Sequence, residues 1–500
     1  MLVRALASVA FATFAAPGMA QVHYHADGRP WSQRAQAGPD AAVPGWYYNL
    51  GVTGLRVELV ADAPTHLVVR HVLEDSVARG RIEVGDHVVG AGGIEFQTPH
   101  QNGYGEKVFG ARGPIGDFAT ALDAALQAKP AKLEVAVQRA GERRTVTLDL
   151  RDHAGGFAAT FPDDCKKSDR VLAKLLPWLV EQQRDDGSWG SPPHDAFAPL
   201  ALLASGDARW RKAIEKNARF HARTTKAKDH DGLINWRYTA AGIVLAEYHL
   251  ATRAEWVKPE LAEIRDFLLH SQYMDPAQRN PKAQQSHPDS WPKRPEDAIG
   301  GFGHNPGFEG YGPIAMVTGQ AAVAFALMQH CGVDVPRERL DAAYAFLARG
   351  TGANGYVWYG DDVGGGPKAW ADPGRTGASG VAHWLAPYDD ERYRTMALRH
   401  ARVIGEHPQS FPDTHGCPTM GMAWAAMAAH TDPAAFRSLL TENRWWFVLA
   451  ECADGTFYYQ PNRDNAGYGE DSRLSASAVV ALVLSLPRRS LHVAGKPFAK

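Results

Sequence analysis

PIAMVTGQAAVAFALMQH, residues Pro313–His330, is apolar or small at almost every position and has no polar face. A helix that is apolar all round must be buried on every side. Five more stretches read the same way: Ala196–Ser205, Tyr238–Ala251, Gly374–Leu385, Cys417–His430 and Leu474–Leu486. Between them lie segments with one apolar stripe. Asp169–Gln183 carries Val171, Leu172, Leu175, Leu176 and Leu179 on one side, with Ser168 placed to cap it. Leu261, Ile264 and Leu268 mark another, as do Leu340, Tyr344 and Leu347. Weaker stripes run over Ala208–Arg223, Asp390–Glu406 and Pro433–Ala450. Buried helices alternating with half-buried ones predict an inner ring wrapped by an outer ring. The fold expected for residues 168–490 is therefore an (α/α)6 toroid of helical hairpins around a cavity, followed by a tail, 491–500.

The turns between outer and inner helices repeat. Asp186-Gly187-Ser188-Trp189, Asp231-Gly232-Leu233-Ile234, Asn354-Gly355-Tyr356-Val357-Trp358 and Asp454-Gly455-Thr456-Phe457 each place an aromatic or apolar residue after Asp/Asn-Gly. Such dipeptides suit turns that need positive φ. The loops Tyr273–Gly312 and Tyr359–Pro373 are long, and long ordered loops are often functional.

The N-terminal half has another texture. Arg4, the apolar run Leu6–Ala16 and Gly18-Met19-Ala20 form a secretory signal over residues 1–20. The mature protein is expected to be exported, periplasmic or secreted, with no membrane span. Residues 21–45 are a polar leader. Lys+Arg 53 nearly cancels Asp+Glu 55, so no strong field steers nucleic acid. Residues 46–150 alternate strands (Leu55–Leu59, Leu67–Val72, Gly85–Val89) with short helices at Ser76–Arg81 and Ala119–Leu126. A hairpin, Leu133–Arg139 with Arg144–Leu150, closes the set, and 151–167 reads as a linker.

The order and residues of 46–150 resemble a PDZ domain, a small partly open β-barrel. Leu50-Gly51-Val52-Thr53-Gly54-Leu55 is similar to its carboxylate-binding loop, and Ile82-Glu83-Val84-Gly85-Asp86-His87-Val88-Val89 to its Gly-Asp strand. Arg81-Ile82 and Gly92-Gly93 replace the usual Gly-Leu and Asn-Gly, and Gln97–Pro114 is inserted before the groove helix. The resemblance implies capture of a peptide or protein C-terminus by strand addition along Leu55, Val57 and Leu59, opposite Phe118 and Leu122. The alternative is a packing module that binds nothing in trans.

The first turn, Gln183-Arg184-Asp185-Asp186-Gly187-Ser188-Trp189, carries the Q-x-x-x-G-x-W pattern, and residues 168–490 resemble the terpenoid cyclase and protein prenyltransferase superfamily. The Asp-x-Asp-Asp motif of the cyclases and the zinc pattern of the prenyltransferases are missing, so neither activity is expected. The joined layout also resembles a secreted bacterial family of unknown function, which implies no activity.

Connectivity sends the N-termini of all six inner helices to one face, where N–H groups and helix dipoles favour anionic or carbonyl-rich ligands. Residues just before those starts form the candidate mouth: His194, Asp195, Arg237, Tyr238, Glu309, Tyr311, Arg375 and Arg473. Two sets of catalytic candidates sit there. One is Cys417, a thiol at a helix start, with His415 as its base. The other is Glu470 and Asp471, acting with Asp195 or Glu309 on a glycosidic bond. Trp236, Tyr311, Trp358, Trp370, Trp384 and Tyr468 offer sugar-stacking surfaces or simply pack the turns. His304 and His383 are too isolated to predict a metal, and no cofactor motif is present. Of the four cysteines, Cys165, Cys331, Cys417 and Cys452, a Cys417–Cys452 bond fits the toroid, as do four free thiols. Two functions follow: a binding protein for a peptide terminus and a second cavity ligand, or a hydrolase or lyase acting on a polysaccharide or peptide in the cavity.

Overall fold

The computed structural model describes residues 47–60, 62–100, 111–190, 192–226, 233–278, 294–307, 312–360, 371–412, 418–458, 460 and 472–498, plus two short paired strands, β1 (His23–Tyr24) and β2 (Pro30–Trp31). The expected signal and most of the leader lie outside them. The chain is α+β: an open antiparallel sheet followed by a helical toroid.

The sheet runs β3 (Tyr47–Asn49), β4 (Leu55–Glu58), β5 (Leu67–Val72), β6 (His87–Ala91), β8 (Lys132–Arg139) and β9 (Glu142–Asp149), with β7 (Ile94–Glu95) hung on β6. Helix α1 (Pro114–Gln127) packs on β6 and β8. Ala140 and Gly141 both take positive φ, 49° and 86°, so a two-residue turn closes the β8–β9 hairpin. The helix expected over Ser76–Arg81 is a run of turns instead.

The strand-addition edge is not free. β3 doubles back and pairs with β4, Tyr48 opposite Val57 and Asn49 opposite Arg56. The far side of the loop is closed too. A Cβ on Gly51 would come within 2.6 Å of Leu122 Cδ2 and 2.7 Å of the Val448 carbonyl oxygen, because helix α13 (Arg444–Ala450) of the toroid lies against this loop. Leu50, Val52, Leu55, Val57, Phe118 and Leu122 are core residues, and Thr53 Oγ1 donates back to the Leu50 carbonyl. The sheet is open rather than a closed barrel. The expected linker is packed: Phe157 and Phe161 are buried, and Phe161 stands edge-on to Phe447 at 5.2 Å.

Six inner helices form the ring: α3 (Pro192–Ala204), α5 (Ile234–Thr252), α7 (Ala315–His330), α9 (Pro373–Trp384), α11 (Pro418–Ala429) and α14 (Ser472–Ser485). Each packs on the next, and α14 packs back on α3. Around them lie α2 (Lys166–Glu181), α4 (Arg211–Thr224), α6 (Val257–Ser271), α8 (Arg337–Arg349), α10 (Glu391–Glu406) and α12 (Pro433–Glu442), with α13 after it. Helix α2 starts before Ser168, which is buried in its first turn and does not cap it. The sixth outer helix breaks at Asn443, whose Nδ2 donates to the Leu439 and Pro408 carbonyls.

Two features shape the lumen. Helix α9 lies unusually close to α11: a Cβ on Gly377 would fall 2.4 Å from the Trp424 carbonyl carbon. At the base, the expected tail is docked. Val493 N–H donates to Glu247 Oε1 at 2.7 Å, His430 Nδ1 meets the Ala494 carbonyl at 2.7 Å, and Phe498 stacks on His330 and His492. No described helix is long and apolar enough to cross a membrane.

Candidate functional site

The turns set where each inner helix begins. In three of them an Asx side chain accepts from the N–H two residues on: Asp186 from Ser188, Asn354 from Tyr356, Asp454 from Thr456. The next residue then donates its N–H to a side chain on the inner helix. Trp189 reaches Asp195 Oδ1 at 2.5 Å, Val357 reaches Thr376 Oγ1 at 3.0 Å, and Phe457 reaches Ser477 Oγ at 2.9 Å. The looser turn at Phe302 uses Thr318 Oγ1 at 2.9 Å. Asp195 is thus one of four equivalent staples. It is 4% exposed, and burial pushes its carboxyl up to about 7 against the pull of the Trp189 N–H.

The rim between α5 and α9 is knit by backbone bonds. Asn235 N–H donates to the His304 carbonyl at 3.1 Å, Ile314 to Phe302 at 2.9 Å, and Ala315 to Tyr359 at 2.8 Å. Asn305 Oδ1 takes the Ile234 N–H at 3.1 Å. The Ile234 and Asn235 N–H groups of α5 and the Ala315 N–H of α7 are therefore spent within the protein. Neighbouring turns cap these positions of the expected crown of free N–H groups.

Side chains on this rim form two groups. Trp236 Nε1 donates to His304 Nδ1 at 2.9 Å, and the rings stack. Indole nitrogen only donates, so His304 carries its proton on Nε2. Burial lowers its pKa to about 4, and it is neutral at pH 7. The second group surrounds Arg375. Its Nη1 pairs with Asp372 Oδ2 and its Nη2 donates to Tyr356 Oη, each at 2.7 Å, with the Tyr359 ring 5.5 Å away. Burial works against the Arg375 charge, but Asp372 and the tyrosines outweigh it and raise its pKa. Trp358 stands edge-on to Tyr356 at 5.2 Å, and its buried Nε1 has no hydrogen-bond partner among the described residues.

Below the rim the lumen is bridged. Gln320 on α7 accepts from Thr239 Oγ1 at 3.5 Å, and its Nε2 lies 3.6 Å from Met420 Sδ on α11. Helices α7 and α11 are not ring neighbours. Their side chains meet because α9 between them packs closely on both, Gly319 of α7 lying against Ala378 and Gly377 of α9 against Trp424. Thr419 Oγ1 and Ser475 Oγ, 2.6 Å apart, join α11 to α14.

The remaining expected residues scatter. Tyr238 is buried against Phe267 of the outer ring, rings 3.9 Å apart, and does not face the cavity. Arg237 lies over the Tyr238 ring at 5.9 Å with a buried, unpartnered Nε. Arg473 pairs with Asp454 of the sixth turn at 3.0 Å. Trp384 is a base residue, under the Arg394 guanidinium and next to Gly495. His383 is buried on α9, in the fourth hairpin, with its Nδ1 on the Ser379 carbonyl at 2.7 Å. Cys165, Cys331 and Cys452 are buried free thiols, and burial raises Cys331 to about 12. Glu309, Tyr311, Trp370, His415, Cys417, Tyr468, Glu470, Asp471 and the side chain of His194 lie outside the described residues, as does one partner of the expected Cys417–Cys452 bond. Tyr356, Tyr359, Gln320, Met420 and Asp372 were not foreseen. Of these, Tyr356 stood in the repeated turn motif, and Asp372 left a local signal three residues before Arg375 on one helix end.

No curated protein matches the sequence. Among solved structures, the GH76A α-1,6-mannanase of Salegentibacter sp. HEL1_6 is 13% identical, covering 64% of this chain and 98% of that one with a TM-score of 0.44. The unsaturated glucuronyl hydrolase of Bacillus sp. GL1 is 12% identical, with 64% and 96% covered and a TM-score of 0.41. A type II terpene cyclase of Scytonema is 13% identical, with 65% and 97% covered and a TM-score of 0.39. The model of a domain of unknown function, DUF6288, matches residues 168–495, that is, the whole toroid with its docked tail, and the chain belongs to that family.

Proposed function

We propose that the toroid mouth binds a polysaccharide, and that the exported protein is a carbohydrate-active hydrolase or lyase. One observation carries this reading: the continuous rim from Trp236–His304 to Tyr356–Trp358–Tyr359, knit through Phe302, Ile314 and Ala315. It gathers flat aromatic faces around polar groups that are mostly already neutralised. Arg375 is balanced by Asp372 and His304 is uncharged, so the rim suits a polyol better than a strongly ionic ligand. A catalytic acid and base must converge on one bond. Among the described residues, Asp195 is committed to the first turn and Asp372 to Arg375. The acid–base role therefore falls to Glu309, Glu470 and Asp471 in this proposal.

The competing reading, capture of a peptide terminus by a PDZ-type groove, has lost its docking edge to β3 and its loop face to α13. The test uses the purified mature protein with a panel of neutral and uronate-containing polysaccharides and C-terminal peptides. Affinity electrophoresis reads retention; new reducing ends and ultraviolet absorbance of unsaturated products read hydrolysis and lysis. Retention of a polysaccharide, weakened about ten-fold by Trp236→Ala or Trp358→Ala in folded protein, is the expected result. Retention of peptides alone would overturn it.

A further inference from the structure

The sheet domain spends its most buried polar groups on one short stretch of the toroid. β3 is the outer strand of the sheet, so the N–H and C=O of Asn49 on its open side need partners. Gln460 supplies both. Asn49 N–H donates to Gln460 Oε1 at 3.1 Å, and Gln460 Nε2 donates to the Asn49 carbonyl at 3.3 Å. A side-chain amide thus stands in for the peptide group of a next strand. The Asn49 side chain extends the contact: its Nδ2 donates to the Leu449 carbonyl at 2.5 Å, and its Oδ1 accepts from Arg56 Nη1. The Arg56 guanidinium then covers the Tyr458 ring at 4.2 Å. From the start of α2, Lys167 Nζ meets Glu451 Oε2 at 2.6 Å. Asn49, Arg56 and Gln460 are 0%, 2% and 0% exposed, so water cannot substitute for these bonds.

Leu449, Glu451, Tyr458 and Gln460 are the two shoulders of the sixth turn, the one that delivers the chain to α14 at the mouth. The geometry points to the sheet domain as a fixed brace that positions this turn, with Asn49 and Gln460 as its positioning residues. The edge that resembles a peptide receptor therefore serves a partner in cis: the chain's own β3, with the toroid behind it. A peptide adding to β4 would have to displace β3 and take Asn49 away from Gln460 and Leu449.

Hydrogen exchange followed by mass spectrometry on the full chain tests this without any ligand, so its outcome is separate from the polysaccharide reading. The fourth turn, residues 351–358, has the same backbone bonding and serves as the internal control. In Gln460→Ala, exchange over 451–458 is expected to rise about ten-fold while 351–358 changes less than about two-fold. Gln460→Met keeps the volume of the side chain without either hydrogen bond, so it should show the same localised rise, and it serves if Gln460→Ala does not fold. A rise spread evenly over both turns, or none at 451–458, would overturn the brace.

Discussion

Turns four and six are built alike and held differently. Gly352 N–H reaches the Tyr356 carbonyl at 2.8 Å, and Cys452 N–H reaches Thr456 at 2.7 Å. Trp358 bonds back to Gly350 at 2.8 Å, and Tyr458 to Ala450 at 2.7 Å. Thr351 bridges Val357 as Glu451 bridges Phe457. The backing differs. Turn four leans on helix α10: His400 Nδ1 bonds the Gly355 carbonyl at 2.7 Å, and Arg399 Nη2 the Ala353 carbonyl. Turn six leans on the sheet domain through amides and ions. Asn/Asp-Gly plus an apolar residue specifies the turn; whatever chain passes behind decides what keeps it closed. One turn should therefore yield to protons, the other to loss of the domain contact.

Acid should separate them most. His383 on α9 and His400 on α10 are buried behind turn four, among Tyr344, Tyr388 and Tyr393. Burial lowers His383 to about 4, and burial with the neighbouring His383 lowers His400 to about 3. The folded state thus holds both neutral while the unfolded chain protonates near 6.5. Their stability contribution is present above pH 6.5 and is lost as pH falls toward 4. At pH 5 each imidazole should cost about 2 kcal/mol, about 4 together. Urea unfolding at pH 7 and pH 5 measures the fall. His400→Asn keeps a donor for Gly355 without the titration, so it should shrink the difference by about 2 kcal/mol. An unchanged difference would refute the role given to His400.

Arg444→Ala attacks turn six from outside. Arg444 Nε donates to Asp123 Oδ2 at 2.8 Å and Nη1 to the Ala158 carbonyl at 2.9 Å, tying α13 to α1 and to the packed joint. Asp123 Oδ1 also takes the Phe157 N–H at 3.2 Å. Removing the guanidinium strands a buried carboxylate, a loss of about 3 kcal/mol. Thermal melts should show it, and exchange should rise in α13 and turn six while turn four stays protected. The Asp123→Ala, Arg444→Ala double variant should recover part of the loss. A neutral single variant would mean the domains are not joined there.

Much of this was legible in sequence because burial is a bulk signal. Pro313–His330 has no polar face, so its helix could only be an inner one. What failed was set by distant partners. Helix α5 begins at Ile234, four residues before Tyr238, because His304 and Asn305 cap it from the next hairpin. Leu55–Glu58 announces a strand, but nothing local says that Tyr47–Asn49 returns to cover it. At the rim, Trp236 and Trp358 stood out as aromatics beside the turns. Gln320 and Met420 did not, since their meeting depends on how closely α9 packs between their helices.

The finest contrast concerns the glycines of the two turns. Gly355 and Gly455 take φ of +94° and +87°, so alanine at either carries the same backbone penalty of about 1 kcal/mol. The surroundings then differ. A Cβ at Gly355 meets the Arg399 carbonyl oxygen and Cγ at 2.9 Å each, and the carbonyl belongs to helix α10, which cannot yield without bending. At Gly455 the nearest atom is Lys174 Cδ at 2.8 Å, the flexible stem of a side chain that can swing aside. Gly355→Ala should therefore cost about 2 kcal/mol and Gly455→Ala about 1, compared by urea midpoints at pH 7. Equal losses would mean that Lys174 is held as firmly as a helix backbone. In that case the sixth turn is braced by α2 as well as by the sheet, through the same helix that brings Lys167 to Glu451.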